Sequence, residues 1–142
     1  MNPKRLLQIA AVCFIVALLV VGCALTRTSI TDRIIGFQAD LNKSDRSSMY
    51  LNFHPDSTAD YNAIKTSAFW VNYFPVVGAG EAAYAITNVD PAVQNAVTAT
   101  INGPASFGKP VPIVFKMAES SDGFFTDFMI EELTLNGIVI VQ

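Results

Sequence analysis

Residues 111–135 read VPIVFKMAESSDGFFTDFMIEELTL, and this stretch decides the fold class. Val111, Ile113, Phe115 and Met117 alternate with Pro112, Val114, Lys116 and Ala118, which is the period-two pattern of a strand with one buried face. Ser120-Ser121-Asp122-Gly123 supplies turn chemistry, and residues 124–135 resume in strand-favouring residues, so the stretch predicts an antiparallel hairpin.

Working outward, Asn136-Gly137 is either a second hairpin turn or a bulge before a last strand over residues 138–141. Upstream, residues 93–101 form a strand with Val93, Asn95, Val97, Ala99 and Ile101 on one face, and Asn102-Gly103-Pro104 turns the chain after it. Residues 82–89 form another strand, ended by Asp90-Pro91. Before Val77-Gly78-Ala79-Gly80, a flexible turn, the period changes to that of helices. Ile30, Ile34, Phe37 and Leu41 recur at helical spacing, with Ser29 or Thr31 as N-cap and Asp32 in the first turn. A second, short helix is expected through Met49, Tyr50 and Phe53, capped by Ser44 or Asp45 and stopped by Pro55. A third carries Tyr61, Ile64, Ala68 and Val71, with Asp56, Ser57 or Thr58 at its cap and Pro75 at its end. Helices first and hairpin-linked strands afterwards predict an α+β domain, its helices packed on one face of a curved antiparallel sheet.

Ahead of this domain lies LLQIAAVCFIVALLVVGC, residues 6–23, directly behind Lys4 and Arg5. A basic start, an apolar run and small residues at its end have the order of a secretory signal. Val20, Val21 and Gly22 before Cys23 resemble the bacterial lipobox. That resemblance implies cleavage after Gly22, a diacylglyceryl group on the Cys23 thiol and acylation of the new amine. Several acyl chains anchor firmly where a single one is marginal, at about 0.8 kcal/mol per buried methylene. The competing reading is an uncleaved membrane helix, since a span needs roughly 20 apolar residues. The expected organisation is a signal peptide over 1–22, a lipidated Cys23 and tether over 23–28, and one domain over 29–142. Ala24, where the sorting rule that this resembles would need Asp for the inner membrane, directs the anchor to the outer membrane facing the periplasm.

The 142 residues carry a net charge of −3, and without residues 1–22 seven basic residues face twelve acidic ones. No basic stripe remains to neutralise phosphates, which argues against nucleic acid. Cys13 and Cys23 are the only cysteines, so the domain itself has no disulfide and no cysteine-zinc site, and it must rely on core packing. With one histidine and no carboxylate cluster at ligand spacing, neither metal nor other cofactor is expected. Gly78-Ala79-Gly80 lacks the spacing and lysine of a phosphate loop, and no Gly-x-Ser-x-Gly elbow occurs.

Three stretches carry a resemblance to a family: Phe37-Gln38-Ala39-Asp40-Leu41-Asn42; Asp60-Tyr61-Asn62-Ala63-Ile64 with Phe69-Trp70; and Phe128-Met129-Ile130-Glu131-Glu132-Leu133. With the order of elements over residues 29–142, they resemble the nuclear transport factor 2-like superfamily, the cystatin-like cones. That superfamily holds ketosteroid isomerase, scytalone dehydratase and polyketide cyclases beside many binding and dimerisation modules, so the fold alone does not choose a function. The resemblance implies a cone whose pocket takes a small apolar molecule, with Tyr50, His54, Tyr61, Phe69, Trp70, Phe115 and Phe128 as candidate lining.

Each candidate has a plainer reading. His54, in Phe53-His54-Pro55-Asp56, is either a base beside Asp56 or Asp60, or a histidine of a surface loop. Asp60 and Tyr61 offer the carboxylate and hydroxyl of an isomerase-type site, or else a helix N-terminal acid and a core ring. Phe69, Trp70, Tyr73 and Phe74 line a cavity or fill the wide end of the cone. Of Glu131 and Glu132, at most one can face inward from a strand, where it would need a partner. The expectation is a membrane-tethered, non-catalytic binding module for a small apolar ligand or an envelope protein. An isomerase or dehydratase and a homodimer built on the outer sheet face are its rivals; the latter needs a contiguous apolar patch there.

Overall fold

The computed structural model describes residues 28–56, 58–93, 95–122 and 125–142. The expected signal 1–22, Cys23 and the tether as far as residue 27 lie outside the described residues, as do the candidate cap Ser57 and the turn residue Gly123. Among the described residues no helix is long and apolar enough to cross a membrane.

Helix α1 spans Ile30–Leu41 and starts in a capping box. The Asp32 N–H donates to Ser29 Oγ (3.1 Å), while the Ser29 N–H donates to the Asp32 carboxylate (3.2 Å). Ser29 is therefore the cap rather than Thr31, because only its hydroxyl reaches the third helical N–H. The Ser29 donors hold the Asp32 carboxyl below its ordinary pKa. Ile34, Phe37 and Leu41 are buried, as their spacing predicts.

The second and third expected helices are much reduced. Met49–Asn52 is a single 3-10 turn whose N-terminal residue, Ser48, makes no side-chain cap. The Asp45 carboxylate instead accepts the Ser47 N–H, an Asx turn that competes with helix. Further on, a 3-10 turn Ala63–Lys65 is followed by a helix of only five residues, α2, over Ser67–Val71. Thr66, extended at φ −102° and ψ 138°, separates the two and caps α2 through its hydroxyl. The reset rotates the buried face: Ala68 and Val71 are exposed, and Trp70 is buried instead.

Five strands follow, β1 Ala85–Val93, β2 Ala96–Asn102, β3 Val111–Asp122, β4 Phe125–Leu135 and β5 Ile138–Val141. They form an open antiparallel meander in the order β1-β2-β3-β4-β5. The fold is thus α+β, two helices and their turns packed on one face of the sheet. Four strand ends differ from expectation by three residues or more, the first being the start of β1, at Ala85 rather than residue 82. β1 continues through Asp90-Pro91, which an edge strand tolerates because its outward backbone groups need no ladder partner. Asn95 is not part of β2; it takes a left-handed φ of 64° in the turn before it. β3 and β4 stay paired as far as Asp122↔Phe125, so Ser120-Ser121-Asp122 belong to the ladder rather than to the turn. Asn136-Gly137 is a hairpin turn, with φ of 49° and 79°, the double left-handed geometry of type I′.

The inward face carries Val97, Ala99, Ile101, Ile113, Phe115, Met117, Ile130 and Leu133, all buried. Phe37 sits at the centre, edge-on to Phe53 (6.2 Å), Trp70 (6.1 Å), Phe74 (6.3 Å) and Phe115 (5.3 Å). The Trp70 indole N–H donates to the Ile64 carbonyl at 2.8 Å and satisfies its polar edge inside the core. On the outward face, Val114 of β3 lies between Thr98 of β2 and Thr134 of β4, and Thr100 is opposite Pro112.

Among the described residues, one charge lies fully inside. Arg46 is 0% exposed and donates to the Leu41 carbonyl (Nε, 3.1 Å), the Phe74 carbonyl (Nη1) and the Pro75 carbonyl (Nη2, 2.9 Å). It ties the C-terminus of α1 to the chain leaving α2, where carbonyl oxygens and the helix dipole favour a cation. Tyr84 covers it, ring centroid 5.6 Å from Cζ, and donates its hydroxyl to the same Pro75 carbonyl (2.8 Å). Burial pushes the Tyr84 hydroxyl up to about 12 and pulls the guanidinium below its ordinary pKa. Gly103 is where the Tyr84 ring meets the backbone, since a Cβ there would lie 2.4 Å from it.

Candidate functional site

Aromatic side chains meet in the core. Trp70 and Phe115, two of the residues expected to line a pocket, are 0% exposed and pack against Phe37. Phe69 is half-buried, edge-on to Trp70 at 5.1 Å, and Phe128 is half-buried against the core from β4. Tyr50 and Tyr61 meet edge to face at 5.7 Å, away from any cavity described below, with the Lys65 ammonium 5.8 and 4.9 Å from their centroids. Burial and the neighbours Tyr50 and Asp56 raise the Tyr61 pKa. His54 sits in a loop pinned to β4: its N–H donates to the Ile130 carbonyl (2.8 Å), and its Nδ1 accepts the Asp56 N–H (3.2 Å). Of the seven candidates, Tyr50 meets Tyr61, and Phe69, Trp70, Phe115 and Phe128 all belong to or pack against the core.

Asp60 is tied elsewhere, its N–H donating to the Gln142 carbonyl (2.8 Å) and its carboxylate accepting the Gln142 N–H (3.1 Å). Glu131 is the extra residue of a bulge, because Lys116 pairs with Glu132 while Met117 pairs with Ile130. Its carboxylate lies 3.4 Å from Lys116 Nζ, and neither Glu131 nor Glu132 is buried. The outward sheet face carries Thr98, Thr100, Thr134 and this ion pair beside Val114 and the exposed Val139.

One cavity lies between α1 and β1. Asn42 and Gln38 clip the start of β1 to the helix: Asn42 Oδ1 accepts the Tyr84 N–H (2.7 Å), its Nδ2 donates to the Tyr84 carbonyl (3.0 Å), and Gln38 Oε1 accepts the Ile86 N–H (2.7 Å). Beyond Ile86 the strand turns away. Asn88 takes a φ of 53°, and the register slips by one residue between Thr87 and Asp90 and again between Asp90 and Val93. The space left between the first half of α1 and the bulged half of β1 is a groove of about 410 Å³, lined by Ile30, Thr31, Ile34, Ile35, Gln38, Ile86, Val89 and Val97.

Its lining is aliphatic, and no side chain in it titrates near neutral pH. Ile35, 60% exposed, and Val89, 44% exposed, form its lip. A second hollow of about 390 Å³ lies by Tyr73, Pro75, Phe107, Leu135 and Ile138, with Asn72, Ser106 and Asn136 among its lining. It contains no carboxylate and no histidine. Among the described residues no three histidine, cysteine or carboxylate side chains group as metal ligands. Among the described residues, the lining of neither cavity pairs an acid with a base.

Sequence reasoning passed over the groove because it follows the α1 stripe only as far as the core. The available signal was Ile35, an isoleucine one position outside that stripe, with Thr31 and Gln38 on the same flank at helical spacing. The bulges of β1 carried no legible signal, since Asn88 and Asp90-Pro91 read as the end of a strand. Comparison of the chain with protein-family models, with curated proteins and with solved structures found no match.

Proposed function

We propose that this chain is a lipid-anchored protein of a bacterial envelope, tethered through Cys23 behind a lipoprotein signal peptide. Its cone-like domain binds a small apolar ligand in the groove between α1 and β1 without chemistry of its own. What supports the anchor is the leader, with Lys4 and Arg5, the apolar run and Gly22-Cys23 at its end. What carries the binding reading is the groove itself: an aliphatic, solvent-open cavity of about 410 Å³ beside a tightly packed core. The isomerase-type alternative needs a carboxylate or histidine next to a hydroxyl in a pocket, and the groove offers only Thr31 and Gln38. Outer-membrane localisation facing the periplasm follows from the residue after Cys23.

Two measurements test this. Intact mass of membrane-extracted protein should show loss of residues 1–22 and added acyl mass; a full-length chain with an unmodified Cys23 refutes the anchor. Titration with the apolar fluorophore N-phenyl-1-naphthylamine should show saturable binding that Ile35→Asp and Val89→Asp remove. Equal binding by wild type and variants refutes the groove as the site.

A further inference from the structure

The groove's position relative to the tether narrows what it holds. Thr28 is fixed on β4: its N–H donates to the Asp127 carboxylate (3.0 Å), and its carbonyl accepts the Phe128 N–H (3.4 Å). Cys23 is five residues upstream, so it lies at most about 17 Å from that point. Two extended residues and then helix at about 1.5 Å per residue put Ile30 to Ile35 within about 15 Å of Thr28. Whatever holds Cys23 in a bilayer therefore holds the groove close to the lipid surface. The chemistry narrows it further. Ile30, Ile34, Ile35, Ile86, Val89 and Val97 offer no aromatic face for a ring to stack on and no cation for an acid. The polar groups are neutral: the Thr31 hydroxyl, and a Gln38 amide that uses its carbonyl on Ile86 and keeps its N–H donors.

We infer that the groove takes one acyl chain of an ester-linked lipid from the adjacent membrane, its ester carbonyl meeting Thr31 and Gln38. This rests on the binding and anchoring reading above and names its ligand. A free fatty acid would bring an ionised carboxylate to a groove whose lining has no cation to neutralise it, which is unfavourable. Thr28, from which the chain runs back to Cys23, is tied to β4. The groove opens toward β1, across a helix about 10–12 Å wide.

The test uses the full chain in phosphatidylethanolamine vesicles containing a phosphatidylcholine with a photoreactive diazirine at the end of one acyl chain. After irradiation, crosslinks should map to residues 28–42 and 84–93. Ile35→Asp with Val89→Asp, both at exposed positions, should lower them about tenfold, as a loss of one decade in affinity would, while labelling of the anchor is unchanged. Three results overturn the inference: no label in those segments, equal labelling by a diazirine fatty acid, or phospholipid labelling only in a Cys23→Ser chain, which marks the groove as filled by the native anchor. N-phenyl-1-naphthylamine titration of the same samples separates the two levels. Probe binding that the variants abolish, without phospholipid crosslinks, sinks the acyl assignment and leaves the binding reading standing; loss of both sinks both.

Discussion

Replacing Arg46 by methionine removes a buried charge whose partners cannot be removed with it. A buried ion pair exchanged as a whole for apolar residues is often neutral or better, because both charges leave together. Here the acceptors are the backbone carbonyls of Leu41, Phe74 and Pro75, so the substitution strips donors from oxygens that remain buried. Pro75 keeps the Tyr84 hydroxyl; Leu41 and Phe74 lose their guanidinium donors. Each charge-assisted bond is worth about 1.5–3 kcal/mol, and part of that sum is returned because the guanidinium no longer has to be desolvated. A net loss of about 3–5 kcal/mol follows, a large share of the 5–15 kcal/mol typical of a domain.

Denaturant unfolding of the domain 28–142 by fluorescence measures it directly. Trp70 is the only tryptophan, and it lies in the core that Arg46 helps to close. The midpoint should fall for Arg46→Met and fall less for Arg46→Lys, whose single ammonium keeps the charge but cannot span three carbonyls. A methionine variant as stable as wild type would refute the view that this arginine joins the two helix ends.

Tyr84 makes stability depend on alkaline pH. Its hydroxyl is pushed up to about 12 in the folded protein, so its contribution is complete below about pH 10, the ordinary tyrosine value, and is lost as pH rises toward about 12. Some 2–3 kcal/mol should disappear over that window in denaturant titrations, and Tyr84→Phe should flatten the slope. Asn42→Ala releases both backbone groups of Tyr84 and should cost about 1–2 kcal/mol, with faster hydrogen exchange at the Tyr84 amide and little change at Ile113 in mid-sheet. Phe37→Ala opens a cavity among four rings and should cost about 3–5 kcal/mol by the same fluorescence assay. Ile35→Asp should lie within about 0.5 kcal/mol of wild type, which makes it a clean probe of the groove.

Residues alone determined the elements whose signals are local. The 3.6 period of Ile34, Phe37 and Leu41, with Ser29 or Thr31 as cap, defined α1, and the alternation of Ile113, Phe115 and Met117 defined β3, because each pattern repeats within the element it specifies. The helical stripe over Tyr61 to Val71 misled, since Thr66 finds a better use for its hydroxyl as the cap of a shorter helix. Tertiary structure decided the rest. Whether Trp70 and Phe115 line a pocket or fill a core depends on Phe37, Phe53 and Phe74 arriving from other elements, and no spacing in the chain encodes that meeting. Likewise the groove exists because Gln38 and Asn42 hold one half of β1 while two bulges release the other. A gap between two elements belongs to neither sequence, and only their packing can open it.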